Sequence, residues 1–162
     1  MNKIVKLVLV VVAVCSLGVL AAPAAFAGGN GAVTFTQHDS NVVDVSSDFN
    51  PCTGDTGTLT MTYDDIFHGT INKTGSWFTG TLHGSVEFVP DDPAAVTYSG
   101  HFAAWFGDEN NLRNDVEHST FNAHLTGTDG TTVGIHDNTQ ATLNANGVVT
   151  VSFDHMFFVC GG

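Results

Sequence analysis

Eight histidines and sixteen acidic residues share this 162-residue chain with four lysines and arginines. Chemistry here must come from imidazoles and carboxylates, and their spacing suggests two constellations. If the segments around Leu82, Val86 and Tyr98 pair with Val86 opposite Tyr98, His83 faces His101 across two strands. Opposed residues on a strand pair have Cβ atoms about 4.5 to 5.5 Å apart, close enough for two imidazoles to share an ion. His68 lies diagonally beside them and completes a three-histidine set of the kind zinc accepts. No acidic residue is placed to orient these rings, so solvated surface histidines are the competing role.

The second constellation sits on an apolar face. A loop of Ala145-Asn146-Gly147 sets Asp137 opposite His155, with the parity of Val151 and Phe153. A carboxylate against an imidazole in apolar surroundings stabilises the imidazolium and can orient it for acid–base work. The pair is the one catalytic candidate, suited to an isomerase or cyclase at a barrel mouth; a satisfied internal pair is its structural counterpart. No Ser-His-Asp order, nucleophile elbow, phosphate loop or zinc-protease motif accompanies it, and no cofactor is implied.

A third group is apolar. Gly80, Gly84 and Gly100 share a face with Phe78, Phe102, Phe106, Phe121 and Phe153. The missing side chains either leave room for a small apolar ligand, bound by Phe78, Gly84, Gly100, Phe102, Phe121 and Phe153, or let the rings interdigitate and bend the sheet. Trp77 and Trp105 take the opposite parity, where an indole can meet a sugar or a partner.

These residues need strands to position them. Beyond Gly28 apolar residues recur at every second position, with Gly, Thr and turn signals at intervals, which is an all-β pattern. Strands are expected over 32–38, 41–48, 58–72, 77–89, 96–106, 115–127, 132–143 and 148–160, with a bulge where Val116 breaks parity. Face parity selects the loops: Ala145-Asn146-Gly147 pairs Leu143 with Val149, Thr128-Asp129-Gly130 pairs Leu125 with Val133, and Thr74-Gly75 pairs Phe67 with Leu82. The result is an antiparallel meander of about seven to eight strands.

The N-terminus carries Lys3 and Lys6, an apolar run from Leu7 to Leu20, and Ala25-Phe26-Ala27 before Gly28. This is the pattern of a secretory signal peptide cleaved after Ala27, which makes the mature protein secreted, either extracellular or associated with the cell wall. Removing 27 residues from 162 leaves 135, one domain over 28–162. Its two cations, Lys73 and Arg113, stand against sixteen acids, a formal charge of −14. Such a surface excludes nucleic acid and anionic lipid as partners, since both demand Lys or Arg at the phosphates. Cys52 and Cys160 are the mature chain's cysteines, and an oxidising destination favours a bridge between them. That bridge needs the start and end of the meander within about 4.4 to 6.8 Å at Cα, natural in a lipocalin-like up-and-down barrel and also attainable in a β-sandwich.

Asn50-Pro51-Cys52-Thr53-Gly54, His136 in a late strand, Leu143-Asn144-Ala145-Asn146-Gly147 ahead of Val148-Val149-Thr150-Val151, and terminal Cys160 resemble small secreted bacterial proteins of uncharacterised function. The resemblance covers most of the mature chain and is structural, implying no activity, ligand or catalytic residue. The sequence thus leads to a secreted barrel that binds a small apolar molecule, with a structural or interaction protein of filled core as the alternative.

Overall fold

A computed structural model describes residues 31–162; the leader expected over 1–27 lies outside the described residues. Seven strands, β1 (Val33–Phe49), β2 (Thr56–Asn72), β3 (Gly75–Pro90), β4 (Tyr98–Asn110), β5 (Asn114–Gly127), β6 (Thr132–Asn144) and β7 (Val149–Gly161), form one antiparallel sheet in sequential order. The fold is an all-β meander. No helix of the described residues is long and apolar enough to cross a membrane.

Where eight strands were conceivable there are seven, because the first two expected segments are one strand. A bulge between Asp39 and Val42 joins them. Asn41 takes a left-handed φ of 55° there, a conformation asparagine tolerates better than most residues, and its N–H donates to Asp64 Oδ1 at 2.9 Å.

The hairpins at Leu125↔Val133 and Leu143↔Val149 have the expected partners, with Gly130 and Gly147 at positive φ. Two other registers differ by two residues. Phe67 pairs with Gly80 and not Leu82, because the β2–β3 turn is Lys73-Thr74, fastened by Asn72 Oδ1, which accepts from the Thr74 N–H and hydroxyl at 2.7 Å. Val86 pairs with Gly100 and not Tyr98. A slip of two preserves the faces, as period-two geometry requires. No bulge forms at Val116, and β5 pairs regularly with both neighbours.

The irregularity with consequences is in β7. Leu143 pairs with Val149 but Thr142 pairs with Val151, so Thr150 is an extra residue that reverses the parity of the rest of the strand. Val151, Phe153, His155, Phe157 and Val159 therefore share the outer face with Gln140, Asn138 and His136, while Ser152, Asp154, Met156, Phe158 and Cys160 face inward.

The inner face is organised in rows of opposed residues. Towards one end lie Met61, Tyr63, Val86, Phe88, Tyr98, Phe102, Leu125 and Val133, each 8% exposed or less, forming the core. At that end Asn50-Pro51-Cys52-Thr53-Gly54 makes a closed turn. Asn50, 4% exposed, donates its N–H to Asp55 O and accepts from Gly54 N–H through its carbonyl, both at 2.8 Å, while its Oδ1 accepts from Cys52 N–H at 2.8 Å. The turn presents Cys52 to Cys160, with which it forms a disulfide at a Cα separation of 5.8 Å.

The sheet is strongly coiled. Rings two strands apart touch across it: Tyr63 on β2 meets Phe102 on β4 at 6.0 Å, and Phe35 on β1 meets Phe78 on β3 at 6.4 Å. Glycine permits the bend. A Cβ on Gly84 would lie 2.1 Å from Thr62 O, and one on Gly100 would lie 1.9 Å from His124 O, so neither position admits a side chain. Among the described residues no ladder joins β7 to β1; the bridge is what brings the two edges together.

Candidate functional site

The ladders sort the ionisable residues between the two faces. All eight histidines, from His38 to His155, lie on the outer face. The inner face takes nine carboxylates: Asp39, Asp44 and Asp48 from β1, Asp65 from β2, Asp108 from β4, Asp115 and Glu117 from β5, Asp137 from β6 and Asp154 from β7. The two cations of the described residues, Lys73 and Arg113, sit in turns and not on a strand.

The expected histidine set does not assemble. His83 lies opposite Ala103, and His101 lies opposite Ser85 and His124. His68 is engaged elsewhere, its Nδ1 2.9 Å from the Thr36 hydroxyl. The register slip at the β3–β4 hairpin is the cause. The connection between Pro90 and Tyr98 sets Phe88 against Tyr98, two residues later along the chain than the expected register. Among the described residues, the one group of three potential ligands within reach of a single ion is Asp108, Asp115 and Glu117.

Nor do Asp137 and His155 meet. His155 lies opposite Asn138 on the outer face, between the rings of Phe153 and Phe157 at 6.2 and 5.4 Å. Phe153 is carried outward with it and is 47% exposed, so the inner face is lined without it. The bulge at Thr150 moves both residues. Asp137 stays inside, 5% exposed, opposite Phe121 on one side and Met156 on the other.

What the inner face does assemble lies between the middle of the sheet and the turns at 72–75, 110–114 and 144–149. The floor is the row Asp65, Leu82, Ala104, Phe121, Asp137 and Met156. Above it, β1 to β4 supply an aromatic wall: Phe67 stacks on Phe78 at 5.6 Å and on Phe106 at 6.0 Å, and Phe35 tilts against Phe67 at 5.8 Å. These rings are half-buried. On the β5 to β7 side the wall is polar, with Ser119 and Thr139 hydroxyls 2.6 Å apart and Glu117 and Asp154 in adjacent rows.

Phe78, Phe102 and Phe121 of the expected ligand set all face inward, Phe102 stacking on Phe121 at 5.7 Å. Gly84 and Gly100 serve curvature. Space left by other glycines is filled by protein: a Cβ on Gly80 would meet the Phe106 ring at 2.2 Å, and one on Gly69 the Phe35 ring at 2.5 Å. Phe67, Phe106 and Phe35 are the wall residues that sequence reasoning did not assign to the site, although parity already grouped the first two with the apolar face.

Burial and mutual repulsion perturb these acids. Burial, followed by the charges of Asp115 and Glu117, pushes the Asp108 carboxyl up to about 6. Asp137 is raised by burial and then by Asp154, and Asp65 by burial and then by Asp39. Asp137 Oδ1 is buried without a hydrogen-bond partner, an unusual state for an interior polar atom. No protein-family model, curated protein or solved structure matches the chain.

Proposed function

We propose that the protein is an exported binding protein that holds a small apolar molecule against the inner face of its coiled sheet, and that it works outside the cell or at the wall. The observation that carries this reading is the half-buried wall of Phe35, Phe67, Phe78 and Phe106 beside the buried core. The rings contact one another, and among the described residues they stay half-buried; binding sites are characteristically aromatic surfaces with a few placed polar groups. The disulfide suits an oxidising compartment.

Titration of the native protein with N-phenyl-1-naphthylamine, a neutral fluorophore, tests the reading. Saturable enhancement, weakened several-fold by Phe78→Ser, is the expected result. A flat titration with the fold intact would overturn it and favour a structural or interaction protein. One observation supports that second reading independently: β7 exposes Val151, Phe153, Phe157 and Val159 on one face, each 44–53% exposed, an apolar stripe of the sort that marks contact surfaces.

A further inference from the structure

Resting on that reading, we infer that the inner face selects an organic cation, an apolar or aromatic body carrying an ammonium group, with Asp137 as its counter-ion. Three independent features converge on this chemistry. Every charged residue that the described strands carry on the inner face is acidic, nine carboxylates in all. An interior of uniform sign focuses field lines and raises the local concentration of the opposite charge, so the site draws in cations and repels fatty acids, phosphates and other anions.

The second feature is the buried acceptor. Asp137 is 5% exposed and its Oδ1 has no partner; a backbone hydrogen bond at Asn138 offsets the burial of the carboxylate only in part, and a buried carboxylate so little compensated is costly. Asp137 stands directly opposite Phe121, at a Cβ distance of about 4.5 to 5.5 Å for such a pair. An ammonium at Oδ1 therefore also lies within reach of a ring face, the geometry of a cation–π contact. Phe121 continues through Phe102, at 5.7 Å, to Tyr63, at 6.0 Å.

The third is the division of the wall. The stacked rings of Phe67, Phe78 and Phe106 on the β1–β4 side and the Ser119 and Thr139 hydroxyls on the β5–β7 side, which carries Asp137, match a ligand with one apolar and one cationic end. A bare metal ion fits Asp137 poorly. Calcium takes six to eight oxygens, whereas the two residues opposite Asp137 are Phe121 and Met156, and the three-carboxylate group of Asp108, Asp115 and Glu117 does not include it.

Calorimetric titration at pH 7.5 with 4-phenylbutylammonium, 4-phenylbutanol and 5-phenylvalerate tests the inference. The ammonium should bind at least ten-fold more tightly than the alcohol, and the carboxylate not measurably. Asp137→Asn should remove most of that preference while leaving the alcohol unchanged. Glu87→Gln, which removes an exposed charge from the outer face of β3, should leave it nearly intact. Equal affinity for ammonium and alcohol, or an ammonium preference that survives Asp137→Asn, would overturn the inference while the proposed function stands. Stoichiometric calcium binding that displaces the ammonium and is lost in Asp137→Asn would also overturn it. Failure of all three probes to bind the folded protein would take the proposed function down as well.

Discussion

Gly80 has no side chain where the ring of Phe106 lies on the sheet, and a Cβ there would stand 2.2 Å from that ring. Gly80→Ala should therefore destabilise by about 1 to 3 kcal/mol, the usual range for overpacking. Adding Phe106→Leu should recover part of the loss in urea denaturation, because the smaller side chain vacates the space. Asp108 makes a prediction of opposite sign. Its carboxyl is raised to about 6 by burial and by Asp115 and Glu117, so between the ordinary carboxylate value and 6 the folded state holds the proton more tightly than the unfolded state. Stability on this account falls as pH rises from about 4 to about 6 and then levels off. Asp108→Asn should stabilise the protein by about 1 kcal/mol at pH 7.5, after screening at this half-exposed site, and by almost nothing at pH 4. Paired denaturation curves at the two pH values measure the difference.

At the scale of the strand, β7 shows how far sequence reading reached. Alternation of Val149, Val151, Phe153, Phe157 and Val159 identifies the strand and its hairpin partner, and Leu143↔Val149 forms as parity demands. One extra residue at Thr150 then turns the apolar stripe outward. A bulge has no compositional signature, since it exchanges one backbone pairing for another without changing the alternation. The same applies to β1, whose bulge at Asp39/Val42 fuses two expected strands. It applies less severely to β3–β4, where the loop after Pro90 shifts register by two but keeps faces. Inner-face membership on β2 to β6 was thus legible in alternation alone, which gathered Phe67, Phe78, Phe102, Phe106 and Phe121. The pair His83–His101 required a register that the loop after Pro90 decides, and the pair Asp137–His155 one that the bulge at Thr150 decides. Substitution separates the two placements of β7. Phe157→Ala, at a residue 44% exposed, should cost about 1 kcal/mol or less. Leu82→Ala, at a residue 3% exposed, should cost about 2 to 5 kcal/mol. Equal large losses in the two variants would place Phe157 in the core and remove the bulge.

Over the whole molecule, the arrangement of edges makes the disulfide do two separable things. Cys52 and Cys160 close a loop with a sequence separation of 108, and restraining an unfolded chain over such a loop contributes about 4 to 5 kcal/mol in the chain-entropy model. That effect acts on the unfolded state and should appear globally. Cys52→Ala with Cys160→Ala should lower Tm by about 10 to 20 °C for a domain of this size. The second effect is local. β7 pairs with β6 alone, and apart from half-buried Met156 every one of its residues is exposed, so little besides one ladder and the bridge holds it. β3 and β4, by contrast, are paired on both sides and carry Leu82, Val86, Phe88, Tyr98 and Phe102 of the core. Without the bridge, amides of Val149–Gly161 should exchange through local opening much faster than those of β3 and β4, because local stability follows buried apolar contact. Hydrogen exchange at a temperature well below the variant's Tm measures this. Uniform acceleration across all seven strands would mean that the bridge acts on the unfolded chain alone. Selective acceleration of β7 would show that Cys160 also anchors the edge strand whose Met156 and Asp154 border Asp137, so that reduction loosens the inner face before it unfolds the sheet.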